Sequence, residues 1–144
     1  MAAQIASAIN EKMKPEITIF MLVKTTTEWL GFTIDQRFKH MEDTVQPILQ
    51  KYKGKVRLRF YDTEFYSSRV TDMWVWEASS HADYQLLVED LRETPFWDRF
   101  FDIVEILPGV ENAYAQNYGR QARKLSSVTR RFCLLPFRRA AVRN

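Results

Sequence analysis

The chain has 144 residues, of which 46% are hydrophobic and 27% are charged, as in ordinary globular proteins. This length supports one hydrophobic core, and the low numbers of Gly (four) and Pro (five) argue against disorder of the body. No apolar run approaches the roughly 18–20 residues of a membrane-spanning helix, and the N-terminus lacks a signal-peptide pattern. A single cysteine, Cys133, excludes an internal disulfide. We expect a soluble, cytoplasmic protein.

The net charge of +3 is unevenly distributed. Residues 119–144 hold eight basic residues and no acidic one, which leaves −5 for residues 1–118. Because affinity for phosphates depends on basic side chains gathered on one face, the acidic body argues against nucleic acid as a partner. Within the tail, residues 130–139 place an apolar patch between arginine pairs, a pattern that suits an anionic membrane surface or an acidic partner. The alternative is a terminus that is disordered or held against the body.

The first half of the chain predicts a strand followed by a helix. Residues 16–24 form a short apolar run between Pro15 and a cluster of threonines, which is typical of a central strand. From Thr33 the apolar spacing becomes helical, and Thr33 with Gln36 matches a capping box. A bend or restart is expected at Pro47. The predicted apolar stripe comprises Ile34, Phe38, Met41, Val45, Ile48, Leu49 and Tyr52.

The second half predicts a hairpin, a helix and a last strand. Residues 55–62 and 70–78 alternate with the period of half-buried strands. Ser80 and Asp83 are placed to cap a helix that ends near Pro95. Residues 101–107 predict a fourth strand, closed by the turn dipeptide at 108–109, and residues 110–118 predict a short helix.

This element order, βαββαβ, is the ferredoxin-like α+β pattern, in which two helices cover one face of a four-stranded antiparallel sheet. We therefore expect an N-terminal extension over residues 1–15, one domain over 16–118 and a basic tail over 119–144.

The other face of the sheet needs a cover. If Val56, Leu58, Phe60, Met73 and Val75 face the helices, the open face carries Phe20, Leu22, Arg59, Tyr61, Asp72, Trp74 and Trp76. Large aromatic side chains cover about 150–250 Å² each, so this surface would exceed the few hundred Å² that a monomer normally exposes. A second copy packed sheet on sheet, as in a dimeric α/β barrel, or the chain's own C-terminal segment would cover it. We favour the homodimer.

The order of five short segments resembles the darcynin family, a small bacterial-type family. The segments are Met-Leu-Val-Lys-Thr-Thr at 21–26, Glu-Trp-Leu at 28–30, Gln-Pro-Ile-Leu at 46–49, Arg-Phe-Tyr-Asp at 59–62 and Arg-Glu-Thr-Pro-Phe at 92–96. The resemblance covers about residues 16–118 and implies a ferredoxin-like domain of the dimeric α/β-barrel type. It implies no catalytic residues, and the basic tail departs from the family's short ending.

Motifs for nucleotide and zinc chemistry are missing from the sequence, which has no Gly-x-Gly-x-x-Gly, Gly-x-x-x-x-Gly-Lys, Cys-x-x-Cys or His-Glu-x-x-His. We expect no cofactor and no metal site, because His40 and His81 are far apart in sequence. His40 lies off the apolar stripe and is interpreted as a solvated helix residue. His81 begins the second helix, where it could reach the rim of a cavity as a base or ligand-orienting group.

The predicted catalytic group is Arg59, Tyr61 and Asp72, since charge on an apolar face is costly unless it is paired. Arg59 and Tyr61 would orient a carbonyl or carboxylate, and Asp72 would act as a base or hydrogen-bond acceptor. The alternative is an Arg59–Asp72 ion pair that ties strands or subunits together. The predicted substrate-binding residues are Phe20, Leu22, Trp74, Trp76, Arg69 and His81, of which the tryptophans could equally anchor an interface.

Two functions fit this pattern. The first is a cofactor-independent enzyme that acts on an apolar natural-product-type intermediate in an aromatic cavity, by cyclisation, isomerisation or an intramolecular cycloaddition of the Diels–Alder type. The second is a non-catalytic interaction protein that dimerises through the sheet face and recruits partners through its tail. We favour the enzyme.

Overall fold

The computed structural model describes residues 13–122. Of these, residues 13–111 belong to one compact unit and 112–122 to a second. Cys133 and the arginine pairs of residues 130–139 lie outside the described residues, and the predicted boundary at residue 118 stays a prediction. No helix within the described part of the chain is long and apolar enough to cross a membrane.

The first unit is a four-stranded antiparallel sheet with helices on one side, which confirms the predicted α+β architecture. Its strands are β1 (Ile17–Thr25), β2 (Val56–Asp62), β3 (Asp72–Ala78) and β4 (Phe101–Gly109), in the sheet order β2-β3-β1-β4. Its helices are α1 (Thr27–Gly31), α2 (residues 34–51) and α3 (His81–Arg92). Helix α2 consists of an α-helical part at Ile34–His40, a π-helical turn at Met41–Val45 and a second α-helical part at Gln46–Lys51.

Helix α1 is absent from the sequence prediction, which treated the threonine cluster only as the end of a strand. Thr26 caps this helix: its hydroxyl oxygen accepts from the Trp29 amide at 3.4 Å, and its hydroxyl donates to the Arg99 carbonyl at 2.8 Å. The short helix buries Trp29 against the rings of Phe96 and Phe100, whose centroids both lie 5.4 Å away. Trp29 and these two rings belong to the hydrophobic core cluster.

Helix α2 changes register just before Pro47. The predicted capping box at Thr33 forms, and the π-helical turn precedes the proline, whose missing N–H interrupts regular α-helical bonding. One additional residue in a turn rotates the preceding segment by about 100° about the helix axis. Val45 is therefore buried, whereas Ile34 and Phe38 are exposed, and the predicted stripe is wrong at those two positions.

The pairing register of β3 with β1 and β2 decides which of its side chains face the helices. Trp76 lies opposite Leu58 of β2 and Ile19 of β1, and Trp74 lies opposite Phe60. Side chains directly opposite each other on antiparallel strands share a face. Trp74 and Trp76 therefore point toward the helices, and only 1% of Trp76 is exposed.

The predicted face assignment of β3 is thus wrong, since Met73 and Val75 occupy the open face instead. Both alternating sets in β3 are largely apolar, so periodicity alone does not choose between them. The larger indole rings fill the space between the sheet and the helices, which protein cores must pack densely. Asp72 also lies on the helix side, opposite Asp62 and Val23.

Strand β4 forms one edge of the sheet and carries two irregularities. Its pairing with β1 shifts register between Leu22 and Val23, and Pro108 lies within the strand opposite Ile19. A register shift of this kind bends and twists a strand locally. Proline is tolerated in a sheet chiefly at an edge, because it removes one N–H donor from the ladder.

The second unit contains α4 (Ala113–Asn117), which is the short helix predicted over residues 110–118. Asn112 precedes it in the left-handed conformation, with φ of 56°. The rings of Tyr114 and Tyr118, one helical turn apart, lie 4.9 Å from each other.

Candidate functional site

The face of the sheet opposite the helices, here called the open face, is built from three rows of side chains that run across the strands. The rows, each ordered from β2 to β4, are Arg57, Glu77, Thr18 and Gly109; Arg59, Val75, Phe20 and Leu107; and Tyr61, Met73, Leu22 and Glu105. Of the predicted site residues, Arg59, Tyr61, Phe20 and Leu22 lie on this face as expected. Asp72, Trp74 and Trp76 do not.

Glu77 is the most unusual residue of the open face, because it is a carboxylate with only 8% of its surface exposed. Two arginines from the neighbouring strand β2 hold it. Arg57 forms an ion pair with its Oε2, and Arg59 Nη2 lies 3.0 Å from its Oε1. A buried carboxylate is tolerated only when it is paired and hydrogen-bonded in this way.

The pairing of Arg59 with Glu77 replaces the predicted Arg59–Asp72 pair, which is wrong because those two residues lie on opposite faces. Sequence reasoning missed Glu77 altogether. The available signal was the spacing of Arg57 and Arg59, two residues apart on one side of β2. Such a pair of cations on an otherwise apolar face requires a partner, and Glu77 is the carboxylate of β3 directly opposite Arg57.

Arg59 also contacts Tyr61, its neighbour on the same side of β2. Its Nη1 donates to the Tyr61 hydroxyl oxygen at 3.2 Å, and its guanidinium carbon lies 6.0 Å from the ring centroid. Both residues are exposed. The exposed guanidinium of Arg59 therefore lies beside a phenol hydroxyl on the open face.

Apolar side chains from the central and β4 strands lie next to this charged group. Phe20 is 39% exposed and Leu107, its cross-strand partner, is similarly open to solvent. Leu22 and Met73 are half-buried, and Val75 is buried beneath its neighbours. The open face therefore has an apolar part next to its arginines. This apolar part, here called the apolar floor, consists of Phe20, Leu22, Met73, Val75 and Leu107.

Two of the predicted substrate-binding residues, Arg69 and His81, lie at opposite ends of the sheet. Arg69, in the connection between β2 and β3, donates to Glu105 of the open face at 2.7 Å and so borders the candidate site. His81 begins α3 beyond the other end of β3, where its Nδ1 lies 3.2 Å from Glu16 Oε1. The structure does not bring His81 together with Arg59 and Tyr61.

A small cavity lies on the other side of the sheet, between the strands and the helices, with a volume of about 20 Å³. Its walls are Met41, Val45, Leu58, Phe60, Trp74, Trp76, Leu91, Phe96 and Phe101. Trp74 and Trp76, which were predicted as walls of a ligand cavity on the open face, line this cavity instead, on the opposite side of the sheet from Arg59 and Tyr61.

Asp72 lies on the same face as this cavity, two residues before Trp74. Burial raises the pKa of the Asp72 carboxyl, and the charges of Asp62 and Glu64 raise it further. The Thr71 hydroxyl, which donates to Asp72 Oδ2 at 2.6 Å, works in the opposite direction. Asp72 is thus separated by the sheet from the other two members of the predicted catalytic group.

His40 packs within an aromatic cluster, so its interpretation as a solvated residue is wrong. Its ring centroid lies 4.7 Å from that of Phe32, 5.1 Å from that of Phe100 and 6.2 Å from that of Trp29. Among residues 13–122, no group of three or more His, Cys, Asp or Glu side chains is arranged to hold a metal ion.

Comparison with known proteins identifies a family match over most of the chain. The family model "Darcynin, domain of unknown function" matches residues 1–129. A "Darcynin homolog" from Granulibacter bethesdensis is 64% identical over 109 residues, which cover 76% of this chain and 88% of that protein.

Solved structures of similar fold come from more distant proteins. Chlorite dismutase from Candidatus Nitrospira defluvii, in complex with imidazole, matches with a TM-score of 0.61 at 20% identity, over 75% of this chain and 45% of that one. A structure described as a novel heme-binding protein from Thermus thermophilus matches with a TM-score of 0.60 at 13% identity, over 69% and 41%. This chain thus spans less than half of either structure, and the likeness establishes the fold alone.

Proposed function

The chain belongs to the darcynin family, and we propose that its open face binds a mostly apolar organic anion. The observation that carries this proposal is the group formed by Glu77 and its two arginines. Glu77 is shared between the two guanidinium groups, and the more exposed of them, that of Arg59, lies beside the Tyr61 hydroxyl. A carboxylate or enolate oxygen is the complementary group, since arginine forms its strongest hydrogen bonds with anionic oxygens.

The rest of the ligand would lie along the apolar floor. Phe20 and Leu107 face each other across β1 and β4 and are both exposed, so an acyl chain or ring that covers them removes apolar surface from water. This burial contributes about 25 cal/mol per Å². The ligand class is therefore an amphipathic carboxylate or a related oxyanion.

A second copy of the chain is the proposed cover for this face. Sheet-on-sheet packing would enclose the ligand between two apolar floors, as in a dimeric α/β barrel. Two copies brought together without an anion would place one exposed Arg59 guanidinium from each copy, groups of like charge, in the shared interface. Ligand binding and homodimer formation are thus expected to favour each other.

Catalysis on this face would depend on orientation and charge stabilisation. Arg59 and Tyr61 could polarise a carbonyl or hold an enolate-like oxygen, as a cofactor-independent isomerisation, cyclisation or Diels–Alder-type cycloaddition requires. Asp72 is on the opposite face, and Glu77 and Glu105 are both paired with arginines. A proposed reaction here therefore uses no free carboxylate from the described residues of the open face as its base.

Haem, the ligand named for the Thermus protein, does not fit the cavity between the sheet and the helices. A haem-sized ligand needs a pocket of several hundred Å³ and an axial ligand such as His, Cys, Met or Tyr. The cavity of about 20 Å³ contains Met41 but no histidine in its walls. His40 lies among aromatic rings and His81 beside Glu16, so no step of the proposed function involves haem.

Binding can be tested with decanoate and decanol, which share an alkyl chain and differ in charge. We expect the wild-type protein to bind decanoate at least tenfold more tightly than decanol in calorimetric titrations, and Arg59→Gln to remove most of this preference. Arg92→Gln, on α3 across the sheet, is the matched control and should leave both affinities within twofold. Equal affinities for the two probes, or an unchanged preference in Arg59→Gln, would refute anion binding at this face.

The second copy is tested separately by light scattering after size-exclusion chromatography. The wild-type protein should elute as a dimer, and Phe20→Asp should shift it toward the monomer because a carboxylate on the apolar floor is costly to bury. A wild-type monomer at micromolar concentration, with and without decanoate, would refute closure by a second copy. The decanoate titrations would still decide ligand binding.

A further inference from the structure

The middle row of the open face is an apolar path that begins at a cation. From β2 to β4 it consists of Arg59, Val75, Phe20 and Leu107, and each residue lies directly opposite the next in the pairing of the strands. The three positions that follow Arg59 are all apolar. Because β2 and β4 are the two edge strands, this path crosses the full width of the sheet.

Polar groups interrupt the rows on either side of this path. One row holds Glu77 on β3, followed by Thr18 on β1. The other row ends on β4 at Glu105, whose carboxylate is paired with Arg69. Of the three rows, the middle one alone therefore offers an alkyl chain apolar neighbours as far as the β4 edge.

Both ends of the path are accessible from solvent. The side chain of Arg59 is 46% exposed at the β2 end, and Phe20 and Leu107 are exposed toward the β4 end. A ligand can therefore reach the cation and the apolar positions without any rearrangement of the core.

The width of the sheet sets the length of chain that fits this path. Neighbouring strands lie about 4.8 Å apart, and the bonds that pair antiparallel strands run perpendicular to them. The three steps from β2 to β4 therefore span about 14 Å. Single bonds of about 1.5 Å in a zigzag chain advance about 1.25 Å per carbon, so about 11 carbons beyond a carboxylate at Arg59 reach Leu107.

We infer that the ligand of the open face is an unbranched carboxylate of about 12 carbon atoms, an inference that rests on the proposed function. The carboxylate accepts hydrogen bonds from Arg59 and from the Tyr61 hydroxyl, and the alkyl chain lies over Phe20 and Leu107. Methylene groups beyond Leu107 pass the edge of the sheet and bury no more of the apolar floor. A fused-ring ligand is wider than the path and would meet the Glu105–Arg69 pair at its β4 end.

Calorimetric titrations with a series of unbranched carboxylates measure this length. The series is hexanoate, octanoate, decanoate, dodecanoate, tetradecanoate and hexadecanoate. We expect the affinity to rise about two- to fourfold for each methylene group up to dodecanoate, because each one buries apolar surface. From dodecanoate to hexadecanoate the affinity should change by less than about twofold in total, because the added groups bury no more of the floor.

Two leucine variants test whether the path ends at Leu107. Leu107→Ser removes the last apolar position, so the affinity should level off about four carbons earlier, near octanoate, which corresponds to one strand spacing. Leu86→Ser is the matched control, since Leu86 lies on α3 and is exposed to a similar extent. It should leave the break at dodecanoate.

Arg59→Gln separates the length of the ligand from its charge. This variant should weaken the binding of every member of the series and leave the break at dodecanoate. An affinity that keeps rising through hexadecanoate, or a break that stays at dodecanoate in Leu107→Ser, would overturn the inference. If Arg59→Gln still weakens every member in that case, anion binding at the open face stands and only the length is wrong. If no carboxylate binds, the proposed function and this inference both fail.

Discussion

Replacing Glu77 by Gln tests the account of the open face most directly. Glutamine keeps the shape of the side chain and one acceptor oxygen, but it removes the charge that holds Arg57 and Arg59 together. The two guanidinium groups, two residues apart on the same side of β2, are then left side by side. We expect the free energy of unfolding to fall.

The expected loss of unfolding free energy in Glu77→Gln follows from how exposed the side chains of Arg57 and Arg59 are. Breaking a fully buried ion pair costs about 3–5 kcal/mol, whereas an exposed pair contributes about 0–1 kcal/mol. The carboxylate is buried, but the side chains of Arg57 and Arg59 are 35% and 46% exposed. About 1 kcal/mol for each pair is therefore appropriate, or about 2 kcal/mol for Glu77→Gln and about 1 kcal/mol for Arg59→Gln.

Urea unfolding at pH 7, followed by tryptophan fluorescence, measures these differences. Glu105→Gln is the matched control, because Glu105 forms a single, more exposed pair with Arg69, and it should cost less than about 0.5 kcal/mol. A double-mutant cycle of Glu77→Gln with Arg59→Gln should show a coupling near 1 kcal/mol. A Glu77→Gln protein as stable as the Glu105→Gln control would refute the reasoning.

Three further predictions test other parts of the structure. Asp72→Asn should stabilise the protein by about 0.5–1 kcal/mol at pH 7. Burial and the facing Asp62 raise the Asp72 pKa, so the protonated carboxyl favours the folded state, and this contribution is lost as pH rises through the raised pKa. Urea titrations at pH 3 and pH 7 should therefore show the gain in stability only at pH 7. Burial raises the pKa of Tyr84 to about 12, whereas a tyrosine of the unfolded chain ionises near 10. Between these pH values the Tyr84 contribution to the free energy of unfolding should fall by about 1 kcal/mol after allowance for partial exposure. Tyr84→Phe should make the alkaline loss of stability smaller by this amount in thermal melts. Trp74→Ala should lower the free energy of unfolding by about 3–5 kcal/mol, and Phe20→Ala should lower that of the monomer by less than about 1.5 kcal/mol. A larger loss for Phe20→Ala than for Trp74→Ala in urea unfolding would contradict the assignment of the two side chains to opposite faces.

Local signals predicted the elements of the fold well. Residues 16–24 and 55–62 were predicted as strands and correspond to Ile17–Thr25 and Val56–Asp62. The Ser80 cap of α3 also forms, as its hydroxyl oxygen accepts from the Asp83 amide at 3.1 Å. Strand alternation and helix caps depend on neighbouring residues, so sequence alone carries this information.

The candidate site was predictable only in part, because its composition depends on pairing between distant strands. Arg59 and Tyr61 were correctly placed, since β2 has one clearly apolar side. For β3, the side that carries Trp74 and the side that carries Val75 are both apolar, and only the register with β2 distinguishes them. The burial of Glu77 likewise depends on arginines that are 18 and 20 residues away in sequence.

The irregularities of β4 have a consequence for how the sheet can associate. An edge strand with a regular row of free N–H and C=O groups invites strand addition from another chain, which leads to fibrils or open-ended polymers. Pro108 removes a donor from this edge, and the register shift at Leu22 and Val23 distorts its pairing. Growth by strand addition at the β4 edge is thereby disfavoured, whereas two open faces packed together form a closed assembly of limited size.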